Sequence, residues 1–420
     1  MLDIKFIREN SKKVKTGAHN KGYEVDVDKI IELDKKHRQL LQSVEELRAQ
    51  KNEISGEIPK LEEAKRAPKL KEAEQVKKEL KEKEGVLGEI VSNLEELLWK
   101  VPNTPFEDVP VGKDDSENKT LRHEGKITEF KFKPKDYMEI AQMHDLIDTE
   151  RASKISGTRF GYLKNQAAQL EFALVNFAMD TLVAEGFTSV VPPVLIRPQY
   201  MKKLGYLTEG WEDDVYYLEK DDMNLVGTSE QSIVPMFADE ILSEKDLPMR
   251  FAGFSSCFRR EAGSYGKDTK GILRVHQFDK VEMVSFAHPD KSREEHKFLL
   301  SIQERLMKAL EIPYRVVHIC TGDTGFPMAE KFDIESWIPA EKTYRETHST
   351  SNATDFQARR LNTRFKNSSA KTEFVHILNG TAFAIGRTLI ALIENHQTEH
   401  GGIKIPKALQ KYTGFKKIGK

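Results

Sequence analysis

The sequence predicts an α+β protein, an N-terminal antiparallel two-helix coiled-coil arm followed by a mixed body whose strands carry the chemistry. Three observations lead there. Residues 26–101 are rich in Lys, Glu and Leu, nearly lack glycine and keep a seven-residue apolar repeat. From about Phe132 onward, apolar strand-like runs alternate with helical stretches. Within that body, "CFRREAGSYGKDTKGILRVHQFDKVEM" (Cys257–Met283) reads as a hairpin, yet it carries more charge than a hairpin needs.

The arm comes first in the chain. Leu33, Leu40, Leu47 and Ile54 repeat every seven residues, interleaved with Ile30, His37, Val44, Lys51 and Ile58. Ala73, Leu80, Leu87, Leu94 and Val101 repeat likewise, interleaved with Val76, Lys83, Ile90 and Leu97. Such alternating three- and four-residue steps keep apolar side chains in one seam. Pro59 and Pro68 lie between the halves and predict a break, hence two helices folded back on each other. At 1.5 Å per residue, about 33 residues per helix make an arm about 50 Å long. His37, Lys51 and Lys83 weaken the seam, so the arm needs an anchor at its base and a partner along its length. Residues 65–83 hold eight basic and four acidic side chains. That excess suits a phosphate backbone, and it equally suits a solvated helix face.

"VPNTPFEDVPVGKDDSEN" (101–118) is proline-rich and polar and predicts a linker. In the body, "TSVVPPVLI", "MRFAGFSSCF", "YRVVHIC" and "TEFVHIL" read as strands, and Gln166–Glu185 and His296–Leu310 as helices. The lysine-rich end, Lys416–Lys420, predicts a disordered tail.

Composition sets limits. The chain has 420 residues and a net charge of −1, so any nucleic-acid contact rests on local patches. Two cysteines, Cys257 and Cys320, cannot build a disulfide framework or a cysteine zinc cluster and suit a reducing cytosol. The charged start, MLDIKFIREN, predicts no signal peptide, and no apolar run approaches the roughly 18 residues of a membrane helix. The expectation is a cytoplasmic protein without a membrane.

The charged hairpin reads as chemistry. If Ile272–Met283 is one strand, its even positions present Arg274, His276, Phe278, Lys280 and Glu282 on one face. Leu273, Val275, Val281 and Met283 fall on the buried face. Arg259 and Glu261, two apart on the preceding strand, share a face, and the loop between offers Lys267 and Lys270. Two arginines can fork onto phosphate oxygens, Phe278 can stack a purine, Glu261 can accept from an exocyclic amine, and Glu282 can pair with an ammonium. Cross-strand ion pairs on a surface hairpin are the bland alternative. "ILNGTAFAIGRTLIALIENHQ" (377–397) reads as a strand, a glycine passage and a helix with Arg387 in its first turn, where an anion would meet guanidinium and free N–H groups. No Walker-type loop and no GxGxxG fingerprint is present.

At these residues the chain resembles the class II aminoacyl-tRNA synthetases, and within them the seryl-tRNA synthetase family. "GFTSVVPPVL", with Pro193, is similar to motif one; the charged hairpin is similar to motif two, and "NGTAFAIGRTLIALIENHQ" to motif three. "GTSEQ" (227–231) and "ETHSTSNATDFQARR" (346–360) resemble the serine and ATP signatures. The resemblance covers the whole length, arm included, and implies a class II antiparallel sheet flanked by helices in a catalytic domain spanning 106–420, behind a tRNA-binding domain spanning 1–105.

The resemblance also implies roles. Arg259 would hold the α-phosphate and the serine carboxylate, Glu261 would read the adenine amine, and Phe278 and Arg387 would sandwich the ring. Arg274 would grip the outer phosphates, and Arg260, Val275, Thr347 and His348 complete the implied ATP site. Arg259, Glu282 and Arg387 are the implied catalytic residues. Glu346 and Ser349 would ligate Mg2+. Thr228, Ser229, Glu230, Arg259, Glu282, Asn379 and Thr381 would line the serine pocket. Substrates would be ATP, L-serine and tRNA(Ser), with tRNA(Sec) a further candidate. A homodimer paired through motif one is implied, the arm of one subunit serving the active site of the other.

The chain departs from the family's pattern at Arg260, Thr347, His348 and Thr381, of which Thr381 keeps the hydroxyl. "KKLGYLTEGWEDDVYYL" lacks the GTGQLP stretch common in bacterial members. An archaeal form binds serine through a cysteine-ligated zinc; with no third cysteine here, the expected pocket is zinc-free. A synthetase-like binding module and an amino acid:carrier-protein ligase are the rival readings, as is activity with another small amino acid.

Overall fold

A computed structural model describes residues 1–207, 212–262 and 270–419, all but the Ala64 side chain within them. The chain divides into two compact units, Met1–Thr104 and Pro105–Lys420.

In the first unit, α1 (Ile4–Glu9) and α2 (Ser11–Asn20) precede two long helices, α3 (Val27–Glu57) and α4 (Glu63–Trp99). Asp26 caps α3, its carboxylate accepting the Lys29 N–H at 2.9 Å. The heptads fold as expected: Val44, Leu47 and Ile54 pack against Val76 and Leu80, flanked by Ile58, Ala73 and Leu87. The weak seam positions find polar solutions. Lys83 donates to Ser43 at 2.7 Å, Arg48 reaches Glu84 across the pair at 2.7 Å, and Lys51 turns to solvent. Pro68 corrects the sequence reading, because α4 begins at Glu63 and runs through it. Near a helix start a proline forfeits a single i→i−4 bond, a loss the long helix beyond it absorbs. The chain reversal is confined to 58–62, so the helices of 31 and 37 residues run antiparallel over roughly 45–55 Å at 1.5 Å per residue.

The second unit is built on an eight-stranded sheet. Its strands are β1 (Lys119–Glu124), β2 (Thr188–Val190), β3 (Met249–Phe258), β4 (Gln277–Ala287), β5 (Tyr314–His318), β6 (Glu330–Ile338), β7 (Thr343–Asn352) and β8 (His376–Ala384). Their spatial order is β1-β5-β6-β7-β8-β4-β3-β2, antiparallel throughout except β2–β3. Helices α5 (Asn165–Ala184), α6 (Ser292–Ala309) and α7 (Ile385–Asn395) bury their apolar stripes in the core. Among the described residues α5 alone has the length and hydropathy of a membrane span. Its Ala167, Leu170, Leu174, Ala178 and Leu182 are instead consumed in the core with Val281, Met283 and Phe383.

Three further expectations are corrected. The strand expected from Ile272 begins only at Gln277, which leaves Arg274 in a turn where strand alternation does not apply. The linker is docked from its middle onward: Phe106 N–H bonds to Ala329 O, and Thr321 N–H to Pro110 O. Backbone donors buried beside the body demand such acceptors. The lysine-rich end is ordered as far as Gly419, because Lys417–Ile418 pairs with Ile403–Lys404 and Ile418 is buried. Lys267 and residues 208–211 of the "KKLGYLTEGWEDDVYYL" stretch lie outside the described residues.

Candidate active site

Register places the pocket. On β4, Val281 and Met283 enter the core, while Phe278, Lys280 and Glu282 take the other face. Glu282 lies opposite Gly253 of β3 and Thr381 of β8. Between those pairs β8 has one extra residue, Ala382, so Thr381 faces Glu282 although Phe383 pairs with Val281 in the core. A bulge re-aims side chains in this way. The Thr381 hydroxyl donates to Glu282 Oε2 at 3.2 Å, and Lys280 Nζ sits 2.5 Å from the same oxygen. Asn379, on the same strand, is buried and its Nδ2 has no partner among the described residues. A buried amide donor left open points to a ligand acceptor.

Glu230 forms the opposite wall. It opens a short helix, Glu230–Ile233, and accepts from the Tyr206 hydroxyl at 3.1 Å and the Gln357 amide at 3.3 Å. Burial and then the nearby Glu282 carboxylate push its carboxyl up to about 7. Thr228 Oγ1 accepts the Glu230 N–H at 3.3 Å. Ser229 is buried, its hydroxyl donating to Gly253 O at 3.2 Å on the face of the sheet that carries Glu282.

Arg259 follows β3 directly. Its guanidinium lies 5.3 Å from the Phe278 ring centroid and, among the described residues, makes long bonds of 3.3 and 3.4 Å to Gly227 O. Glu261 has φ of 55°, an αL conformation that is strained for a glutamate. Its carboxylate accepts from Arg274 at 2.9 Å, so the two groups expected on different parts of a nucleotide hold each other. Arg260 is exposed and bonds Val215 O beside the Tyr216 ring. Val275 is buried in the apolar core and offers the site no side chain. Lys270 pairs with Asp136 at 2.8 Å.

A second bulge builds the third corner. Glu346 and Ser349 are three apart, which in a regular strand would put them on opposite faces. On β7, Glu346 pairs with Glu335 and His348 with Ile334, leaving Thr347 as the extra residue. Thr347 and His348 are consequently buried: Thr347 Oγ1 meets Ser336 Oγ at 2.8 Å, and the His348 ring packs against Phe383. Burial lowers His348 to about 4, so it is neutral and supplies no cation to the site. Glu346 meets Arg387 twice, through its carbonyl at 3.0 Å and its carboxylate at 3.2 Å. Partial burial opposes ionisation of Glu346, but Arg387, Lys331 and Arg259 hold its carboxyl well below the usual range. Asp333 lies opposite Ser349, buried, with Oδ1 unpartnered among the described residues.

Sequence reasoning gave no role to Lys280, Tyr206, Gln357, Lys331 or Asp333. Lys280 stood in the alternating pattern, but its partner becomes evident only when Glu282 is seen to be buried. Gln357 lay within a quoted motif, and Tyr206 sits in the stretch where the chain departs from its relatives.

Residues 1–105 match the seryl-tRNA synthetase N-terminal domain, and residues 213–396 the class II tRNA synthetase core domain for G, H, P, S and T. A serine–tRNA ligase of Dictyoglomus turgidum is 44% identical over 421 residues, covering 100% of this chain and 99% of the relative. The crystal structure of seryl-tRNA synthetase from Pyrococcus horikoshii complexed with ATP is similar with a TM-score of 0.94 and 41% identity, covering 100% of this chain and 99% of that one. A cytoplasmic serine–tRNA ligase of Naegleria fowleri in complex with AMP gives 0.89 and 31%, covering 100% and 98%.

Proposed function

The chain belongs to the seryl-tRNA synthetase family, ATP-using ligases of serine to tRNA, and from that premise we propose which of its side chains perform each part of the reaction. The serine carboxylate attacks the ATP α-phosphorus, giving seryl-adenylate and pyrophosphate. The terminal adenosine of the tRNA then takes the seryl group. No protein nucleophile is needed, so the protein's work is positioning and charge neutralisation.

Arg259 bridges the serine carboxylate and the α-phosphate. Its support is its position, at the end of β3 between the Glu230 loop and Phe278, with donors committed among the described residues to long bonds. Phe278 and Arg387 enclose the adenine, Glu261 reads its amine and Arg274 takes the outer phosphates. For that, the Glu261–Arg274 pair must open. Thr347 and His348 contribute backbone alone. Glu282 and Thr381 read the serine hydroxyl, with Asn379 as a further donor and Glu230 beside the ammonium. The observation carrying this reading is the Ala382 bulge, which turns Thr381 onto Glu282 next to the open Asn379 amide.

Glu346 and Ser349 fit a Mg2+ site. The Thr347 bulge brings them to one face, Glu346 is held as a carboxylate, and Mg2+ needs few protein ligands when substrate phosphates supply the rest. Among the described residues no group of three His, Cys, Asp or Glu could hold a metal, so a Mg2+ held by Glu346 and Ser349 would draw its remaining oxygens from substrate. When bound, Mg2+ would neutralise phosphate charge. No zinc is assigned to the pocket.

The arm binds tRNA(Ser) through its backbone and shape, supported by the basic surplus at 65–83, and the site it serves belongs to a second subunit. Homodimer pairing falls on the β2 edge, where Val191 is 81% exposed and Phe172 of α5 is 64% exposed. We place the enzyme in the cytoplasm, away from membranes, consistent with two free cysteines and a core role for α5. Charging of tRNA(Sec) is a further proposal. Amino-acid-dependent ATP–pyrophosphate exchange across the twenty amino acids tests the pocket. Serine should dominate, and alanine or threonine exchanging as fast would overturn the assignment of Glu282 and Thr381.

A further inference from the structure

We propose that Lys280, which has no part in the roles above, is a positioning residue that sets the charge and orientation of the serine pocket by locking Glu282 into a buried ion pair. This rests on the reading that Glu230, Glu282, Asn379 and Thr381 hold serine.

The geometry is specific. Lys280 and Glu282 are two apart on β4 and so share the pocket face. Their charged atoms are 2.5 Å apart, with side chains only 8% and 3% exposed. A cation is rarely buried this deeply without a task, since desolvation weighs against it. The task is visible across the pocket, where Glu230 is a second buried carboxylate whose side-chain donors among the described residues are the neutral Tyr206 hydroxyl and Gln357 amide. Two buried carboxylates side by side resist joint ionisation. With Lys280 present, the three groups sum to one negative charge.

Zwitterionic serine brings one ammonium, and its carboxylate goes to Arg259. The charges then balance without a second proton. Lys280 also divides the labour. Glu282, already held by Lys280 and Thr381, keeps a lone pair for the substrate hydroxyl, and the unmatched carboxylate, Glu230, receives the ammonium.

The groups that bear on Glu230 are Glu282 and Lys280 from β4, Gln357 from the helix Phe356–Leu361 and Tyr206 after the helix Pro198–Leu204; Arg259 and Cys257 lie in the same electrostatic neighbourhood. Glu282 pushes Glu230 up and Lys280 pulls it down. Below about pH 7 the empty pocket carries a proton on Glu230, which an arriving ammonium must expel. The serine KM should therefore climb as pH falls through that value.

The test is serine-dependent ATP–pyrophosphate exchange from pH 6 to 9. Lys280→Met should raise the serine KM about tenfold or more while the ATP KM stays within about twofold. It should also move the acidic inflection of kcat/KM for serine upward by about one pH unit or more. Lys280→Arg should return the inflection to the wild-type position. Glu282→Gln should move it downward. The double variant Lys280→Met/Glu282→Gln leaves no orphan charge and so keeps the fold even where the single variant does not. Its inflection should return toward wild type.

An unmoved inflection in Lys280→Met, or a double variant that titrates like Glu282→Gln alone, overturns the proposal. The two layers separate cleanly. Should Glu282→Gln leave the serine KM unchanged, the pocket reading itself falls; should Glu282→Gln raise it while Lys280→Met does not, only Lys280 loses its role.

Discussion

Replacing Arg259 by alanine should abolish adenylate formation while leaving the fold in place. The magnitude follows from how little the guanidinium does in the free protein. It offers five N–H donors, yet its bonds to Gly227 O are 3.3 and 3.4 Å long. Its contact with Phe278, at 5.3 Å, is worth about 0.5–1 kcal/mol at a partly exposed site. Stability should thus fall by about 1 kcal/mol or less, a shift of a few degrees in Tm. In the reaction the same group is proposed to make charge-assisted bonds to both the carboxylate and the α-phosphate. At about 1.5–3 kcal/mol each, two such bonds total about 3–6 kcal/mol. That corresponds to a loss of about 10²- to 10⁴-fold in kcat/KM. ATP–pyrophosphate exchange across a serine titration, beside a thermal melt, measures both. Lysine should not rescue, because an ammonium cannot fork onto two anions. Exchange within about tenfold of wild type in a folded Arg259→Ala variant would refute the reasoning.

Gly253→Ala should destabilise the body by about 1–3 kcal/mol, because the added methyl collides with Ile233 Cδ1 and lies 2.8 Å from Ser229 Oγ; an unchanged urea midpoint would show that the packing yields. His348 drops from 6.5 to about 4 on folding, so the unfolded chain binds the extra proton between those values. Its contribution is complete above about pH 6.5 and is lost toward pH 4, a loss of about 3 kcal/mol. His348→Gln should flatten that limb, as denaturant titrations at pH 7 and 4.5 would reveal, and an identical slope would count against it. Deleting 26–101 should spare exchange and eliminate tRNA charging; charging at the wild-type rate would remove the arm from the reaction.

Much of this site was legible because strands write their faces in alternate residues. Phe278, Lys280 and Glu282 could be placed on one surface from spacing, and Arg387 at a helix start from the run after Phe383. Other parts depended on single extra residues that leave no chemical signature. Neither Ala382 nor Thr347 looks like a bulge, yet the first turns Thr381 toward Glu282, and the second reunites Glu346 with Ser349. Without it, Thr347 and His348 look like site residues and prove to be core. Ion pairs were hidden for a different reason. Glu261 and Arg274 read as an acceptor and a donor serving a ligand independently, and only the turn from 270 to 276 brings them together. Pro68 misled because the helix tolerates one lost bond near its start, and the lysine-rich end because it pairs with the short strand at Ile403.

The Glu261–Arg274 clasp has an implication for which molecules can dwell in this cleft. On the roles proposed above, one partner belongs to the base and the other to the phosphates of the same nucleotide. A bare polyphosphate would replace the clasp for the arginine alone, and a bare nucleobase for the glutamate alone. On those roles a molecule bearing both ends would compensate both halves at once, so the clasp would favour a whole nucleotide over either fragment.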